Sequence, residues 1–188
     1  TEAYETSVLT ATAVTSDEDG DAVTVSWSWS VSGTVLTDAT GHTLDGGSFN
    51  KHDTIVATAI PSDGEESGDA VASDSLAILN SAPSISSVSL DPTDIYEGST
   101  VTCTPAGWTD VDSDTESYLY AWDVNGTAIG QTGATLDGAS FSKGDTVACT
   151  ATPNDGEATG DVQTSATATV GNTAPALSTA TLSTTLPQ

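Results

Sequence analysis

Carboxylates are the side chains in this sequence whose spacing points to chemistry. Asp110, Asp112 and Asp114 stand at alternate positions, and Asp17, Asp19 and Asp21 do the same earlier in the chain. Calcium takes roughly six to eight hard oxygen ligands. Two such runs make Ca2+ the expected cofactor, with Asp63, Asp155 and Asp91 as further candidate ligands and Asp94 close to Asp91. Neither run is an EF-hand, because no Glu closes the loop and no helical pattern flanks it. The plainer alternative is a solvated acidic turn capping a strand. The Asp110 run is the better candidate, since Asp91 and Asp94 lie near the junction that precedes it.

Nothing comparable supports catalysis. There is no Gly-x-Ser-x-Gly elbow, no phosphate-binding loop and no histidine placed to serve a nucleophile. His42 and His52 have no Cys or second His at zinc spacing. The expectation is a protein that is not an enzyme, with no catalytic residues. Lys51 and Lys143 are the only lysines, and each opens a Lys-x-Asp turn. A lone lysine near Asn or Asp raises an isopeptide crosslink; a turn lysine facing acidic neighbours is the simpler reading.

Net charge narrows the partners. Two lysines, no arginine and 27 acidic residues leave a formal charge of −25. Such a surface repels nucleic acid and anionic membranes and attracts cations. No apolar run approaches membrane-spanning length. No signal peptide is visible, as in a mature secreted chain, so the expected location is extracellular, at the cell surface or secreted.

The positioning elements are strands. Val101 and Cys103, then Tyr118, Tyr120, Trp122 and Val124, then Val147, Cys149 and Ala151 alternate with polar residues, and period-two alternation marks strands with one buried face. Cys103 on an early strand, Trp122 on the next and Cys149 on a late one form the pin of an immunoglobulin-like β-sandwich. A disulfide between them closes a loop of 46 residues and contributes about 4 kcal/mol through loop-closure entropy. The alternative is a pair of free thiols sharing a core.

An internal repeat organises the whole chain. Leu44-Asp45-Gly46-Gly47-Ser48-Phe49 returns as Leu136-Asp137-Gly138-Ala139-Ser140-Phe141, an offset of 92. Lys51 and Asp53 return as Lys143 and Asp145; Pro61, Asp63, Gly64 and Glu65 return as Pro153, Asp155, Gly156 and Glu157. Asn80, Ala82 and Pro83 return as Asn172, Ala174 and Pro175. Trp29 takes the role of Trp122 in the alternating run from Val23 to Val31. Ala11 and Ala57 stand where the second copy has Cys103 and Cys149. Two positions that change together belong in contact.

The expected fold is therefore all-β: two tandem immunoglobulin-like β-sandwiches of about seven short strands each, at residues 1–81 and 82–173. The second carries the disulfide. Before Tyr96 it has a run with Ile85, Val88 and Leu90, which the first copy lacks before Tyr4. That run returns at residues 174–188 as Leu177, Ala180 and Leu182, a donor-like strand completing the next domain or subunit. A sandwich without its edge strand exposes backbone groups, and strand addition cures this. Repeated head to tail, such a contact gives a filament. A cut through a longer covalent array produces the same displacement.

Asn-x-Ala-Pro, Tyr-Glu-Gly-Ser, Trp-x-Asp-x-Asp-x-Asp, Phe-x-Lys-Gly-Asp-Thr-Val and Pro-x-Asp-Gly-Glu together resemble the tandem immunoglobulin-like repeats, akin to PKD and cadherin-like modules, of large bacterial surface proteins. The resemblance spans essentially the whole chain and implies calcium at the Asp-x-Asp-Gly-Asp loops. Ser113 stands where that motif has Gly. The expected function is a structural subunit or repeat of an extracellular filament or stalk, assembled head to tail with copies of itself by strand complementation or covalent continuity. The competing class is a carbohydrate-binding or adhesin accessory module of a secreted multidomain protein, with a polysaccharide or cell-surface ligand. Neither class implies nucleic acid or membrane insertion.

Overall fold

The computed structural model describes residues 1–184. The protein is all-β. In chain order the strands are β1 (Val8–Thr10), β2 (Thr24–Val31), β3 (Thr34–Leu36), β4 (Thr43–Asp45), β5 (Thr54–Ser62), β6 (Val71–Ala72), β7 (Leu76–Ala77), β8 (Ser87–Asp91), β9 (Thr100–Ala106), β10 (Ser117–Val124), β11 (Thr127–Ala128), β12 (Thr135–Asp137), β13 (Thr146–Asn154), β14 (Gln163–Thr164) and β15 (Ala168–Thr169). Gly46–Ser48 and Gly138–Ser140 form short 3-10 turns. Among the described residues no helix is long and apolar enough to cross a membrane.

Close contacts divide the chain into two compact units. The first comprises Thr1–Ser84 together with Trp108–Ser117 and Pro153–Asp161; the second comprises Ile85–Gly107, Tyr118–Thr152 and the chain from Val162 onward. Two loops of the second sequence copy, Trp108–Ser117 and Pro153–Asp161, thus belong to the first unit.

In the first copy β1 pairs with β4, and a second sheet runs β3-β2-β5-β6 with β7 also on β5. The β2–β5 ladder holds eight residue pairs, Trp29 lying opposite Ala57. Ala3, Leu9, Trp29, Leu44, Phe49, Ile55, Ala57 and Ile78 form the buried core. In the second copy the corresponding sheets are β12-β9-β8 and β11-β10-β13-β14, with β15 on β13. Its core holds Val101, Cys103, Trp122, Leu136, Val147, Cys149 and Ala151, each at most 2% exposed.

The repeated motifs have structural causes. Each buried indole N–H needs an acceptor; Trp29 Nε1 donates to the Gly41 carbonyl at 2.8 Å and Trp122 Nε1 to the Gly133 carbonyl at 2.9 Å. The glycine of Leu-Asp-Gly is forced by the backbone of the Tyr-Glu turn. A Cβ on Gly46 would stand 1.7 Å from the Glu5 carbonyl oxygen, and one on Gly138 2.2 Å from that of Glu97. The same glutamates accept the N–H of Lys51 (2.8 Å) and Lys143 (2.9 Å) through Oε1. Asp53 and Asp145 accept the N–H of Asn50 and Ser142, holding the turn before β5 and β13.

Cys103 and Cys149 form a disulfide, with Cα atoms 6.0 Å apart. The three-stranded sheet of the second copy includes β8, which carries Val88 and Leu90, both buried. The first copy has no counterpart of β8 among the described residues. Residues 174–184 carry no strand, and residues 185–188 of the expected donor strand lie outside the described residues. A strand is held by its partner's backbone, and this segment pairs with none among the described residues.

Replacing both cysteines by alanine is expected to lower unfolding free energy by about 4 kcal/mol, read from denaturant midpoints against the oxidised parent. A change below about 1 kcal/mol would show that the crosslink closes a loop already restrained in the unfolded chain.

Candidate functional site

The first unit gathers polar and charged residues from four parts of the sequence at one ammonium. Lys51 follows the Phe49-containing turn, Asn80 lies just beyond β7, Asp114 ends the acidic run and Glu157 belongs to the Asp-Gly-Glu turn. Lys51 Nζ donates to Asp114 Oδ2 at 2.5 Å, Glu157 Oε1 at 2.7 Å and Asn80 Oδ1 at 3.0 Å. Asn80 Nδ2 in turn donates to Asp155 Oδ2 at 2.8 Å. His52 Nε2 lies 3.1 Å from the Glu157 carboxylate. The Lys51 side chain is only 17% exposed, so these pairs are better shielded than ordinary surface ones.

The acidic run wraps onto the same place. Asp112 Oδ2 accepts the Ser81 N–H at 2.5 Å, and Asp110 Oδ1 accepts the Asp114 N–H at 3.2 Å. Ser113 adopts φ +61°, like its counterpart Gly20 at φ +84°. The loop keeps its left-handed turn with Ser113 in the glycine position, a conformation that disfavours a side chain by about 1 kcal/mol. Asp110, Asp112 and Asp114 each offer an oxygen within 4.8 Å of the others and could hold a metal ion. Asp110 Oδ2 is buried and has no hydrogen-bond partner in the protein. A buried carboxylate oxygen without a donor is costly unless a cation or proton meets it.

Asp17, Asp19 and Asp21 form no such group among the described residues. Asp17 Oδ1 accepts the N–H of both Asp19 and Asp21, at 2.9 and 3.0 Å, while Asp19 and Asp21 remain exposed. Asp155 is bound to Asn80, Asp63 accepts the Glu65 and Glu66 N–H within its own turn, and Asp91 ends β8; none joins the Asp110 group. His42 is exposed.

A second feature of the first unit lies beside residues 10–14. Ala11 N–H bonds to the His42 carbonyl on one side, but no strand pairs with the other side among the described residues. The resulting cleft holds about 500 Å³ and is lined by Ala11, Ala13, Trp27, Ala57, Ala59 and Pro61 with Val71. Ala59 and Pro61 are half-buried there, whereas their counterparts Ala151 and Pro153 are fully buried. Beyond the second copy's β15, Leu177 is 85% and Leu182 100% exposed, and Ala180 is exposed too.

Neither a protein-family model nor a curated protein matches this sequence.

The site therefore speaks through its own chemistry. The surrounding carboxylates, Asp114 first and then Glu157, raise the Lys51 ammonium far above its ordinary range. Ion-paired to Asp114 and Glu157, Lys51 matches the simpler reading of a turn lysine facing acidic neighbours. Glu157 is lowered, chiefly by Lys51 and then by His52. At Asp155 burial opposes ionisation, but the Ala158 N–H, Asn80 and the Glu157 N–H outweigh it and the carboxyl is lowered. Asn80, Ser81 and His52 were not marked by sequence, since their partners lie far along the chain.

A carboxyl with a depressed folded pKa contributes stability above its unfolded value, lost as pH falls through the folded one. Thermal unfolding of the parent is thus expected to drop more steeply than that of Glu157→Gln as pH falls from about 5 to about 3. Parallel curves for the two proteins would show that the Lys51–Glu157 pair adds nothing to the fold.

Proposed function

We infer that the chain is a non-enzymatic structural unit of an extracellular filament or stalk, joined head to tail to like units through a β-strand. The cleft beside residues 10–14 carries this reading. On the corresponding surface of the second copy, β8 pairs with β9, Leu90 lying opposite Cys103 and Val88 opposite Pro105, and β8 packs beside β14. The counterpart of β14 is β6, whose Val71 lines the cleft.

Residues 176–183 repeat the spacing of residues 84–91, which include β8, with Leu177, Ala180 and Leu182 for Ile85, Val88 and Leu90. Added in the same register, this segment brings Leu182 opposite Ala11 and Ala180 opposite Ala13. Its main chain satisfies the open edge, and its apolar side chains fill the cleft, the two elements of recognition by strand addition. Burying an exposed leucine contributes about 1.5–3 kcal/mol. The strand comes from a second copy or from a like repeat covalently ahead of the cleft, and either gives a string of units. The four tryptophans are buried or half-buried, which favours this reading over a polysaccharide-binding platform. The disulfide agrees with an oxidising compartment, and an extracellular location belongs to the same inference.

Self-association of the 188-residue chain is the expected outcome, read by light scattering and electron microscopy, and Leu182→Asp is expected to abolish it. Because Leu182 is fully exposed, that substitution leaves each chain's own fold intact. A parent that stays monomeric at about 100 µM, or a Leu182→Asp variant that associates like the parent, would overturn strand exchange between copies.

Calcium at Asp110, Asp112 and Asp114 completes the reading. Three carboxylates are hard donors of the kind calcium takes, with water filling the remaining positions, and the partnerless Asp110 Oδ2 fits a cation. When bound, the ion neutralises a repulsive cluster and fixes the loop. Calcium is expected to raise the melting temperature of the parent and to leave Asp110→Asn unchanged; equal shifts in both proteins would place any calcium elsewhere.

A further inference from the structure

The 92-residue repeat gives each side chain of the Lys51 cluster a counterpart. Lys143 and Asn172 stand where Lys51 and Asn80 stand; Asp21, Asp63 and Glu65 stand where Asp114, Asp155 and Glu157 stand, the first offset by 93. The originals are bound to one another: Lys51 to Asp114 and Glu157, and Asn80 to Asp155. The counterparts are all exposed, and every ion pair among the described residues involves Lys51 or His52.

We propose that Lys143 and Asn172 of one chain bind Asp21, Glu65 and Asp63 of a second copy, reproducing the contacts of Lys51 and Asn80. This rests on the strand-exchange reading and names the electrostatic half of that interface. The homologous carboxylates Asp114 and Glu157 already hold a lysine ammonium in this structure, and Asp21 and Glu65 present the same groups. The receiving turns are alike as well: Asp63 Oδ1 accepts the Glu65 and Glu66 N–H at 2.8 Å each, as Asp155 Oδ1 accepts those of Glu157 and Ala158 at 2.7 and 2.6 Å. In both turns Oδ1 is committed, and in the second Oδ2 receives Asn80.

Chain order makes the two halves of the interface compatible. Asn172 precedes the segment 176–183 by the interval that separates Asn80 from residues 84–91. On the receiving side, residues 10–14 of the cleft run directly into the loop that carries Asp21. One approach of the donor end therefore delivers the strand to the cleft and the lysine to the loop. Charge gives the contact its selectivity. Two copies of net charge −25 repel, and Lys143 is the one side-chain cation besides Lys51 in the sequence.

Zero-length carbodiimide coupling tests this directly, since it joins an amine only to a carboxylate in contact. With two lysines and the terminal amine, every product can be assigned by mass spectrometry. Lys51 coupled to Asp114 or Glu157 within one chain is the internal control, expected in parent and variants alike. In the associated fraction, Lys143 is expected to couple to Asp21 or Glu65 in products of twice the chain mass. Those products vanish in Leu182→Asp. Lys143→Glu is expected to weaken association about tenfold, and adding Asp21→Lys to it to restore most of the loss. If the parent associates through Leu182 while Lys143 stays uncoupled and Lys143→Glu associates normally, this junction is wrong and strand exchange stands. A parent that never associates overturns both.

Discussion

Each copy of the repeat is built around an indole that must be buried and must still hydrogen-bond. Trp29 and Trp122 meet both demands by donating to a glycine carbonyl in the segment just before β4 and β12 respectively. That bond ties the sheet carrying the tryptophan to the strand that pairs with β1 or β9, which places the two inner faces over one another. Ala57 opposite Trp29, and the Cys103–Cys149 bridge beside Trp122, then close the two cores differently. A cystine fills volume and restrains the unfolded chain; two alanines do neither. Ala11 and Ala57 lie on the wall of the cleft, which is open where the second copy has β8.

The acidic composition looks wasteful until its few partners are traced. Several carboxylates serve backbone N–H groups in turns, as Asp53, Asp63, Asp137, Asp145 and Asp155 do. Hydrogen bonds stabilise the ionised form: the Ser32 hydroxyl and then the Asn50 N–H lower Asp53, and the Asn125 side chain and then the Ser142 N–H lower Asp145. A turn written with aspartate is therefore firmer when the chain is fully charged. The Asp110 run differs because its oxygens turn toward one another, and Lys51 answers only Asp114.

Much of the fold was legible from alternation alone. Val23 to Val31 and Tyr118 to Val124 read as strands because one face had to be apolar, and the structure pairs both regions in five-stranded sheets. The disulfide was legible because both cysteines are absent together from the first copy. The Lys51 cluster was not, because its partners lie 63 and 106 residues away and no local spacing reports them. Asp17, Asp19 and Asp21 share the spacing of Asp110, Asp112 and Asp114, yet only the second set converges. The difference is Lys51 and Ser81, which hold Asp114 and Asp112, whereas Asp19 and Asp21 stand exposed in the first loop. Residues 176–183 carry the apolar positions of a strand and form none, since a ladder needs a second backbone.

An interface that combines an apolar strand with a lysine among carboxylates responds to salt in two opposed ways. Repulsion between whole copies acts over distances comparable with the Debye length, about 10 Å at 0.1 M, and is screened first. Contacts at hydrogen-bond distance in a half-buried cluster are screened much less, and strand burial is strengthened by strongly hydrated salts. Moderate salt thus removes the force that keeps acidic units apart while leaving most of the force that orients them. In dilute buffer the balance reverses, because long-range repulsion acts before either short-range contact can form. On the proposed contact, a chain this acidic is expected to stay as single units at low ionic strength and to associate head to tail in a saline medium. On the proposed head-to-tail contact the same charge adds selectivity, because Lys143 is the cation that the donor end would offer to the loop at Asp21.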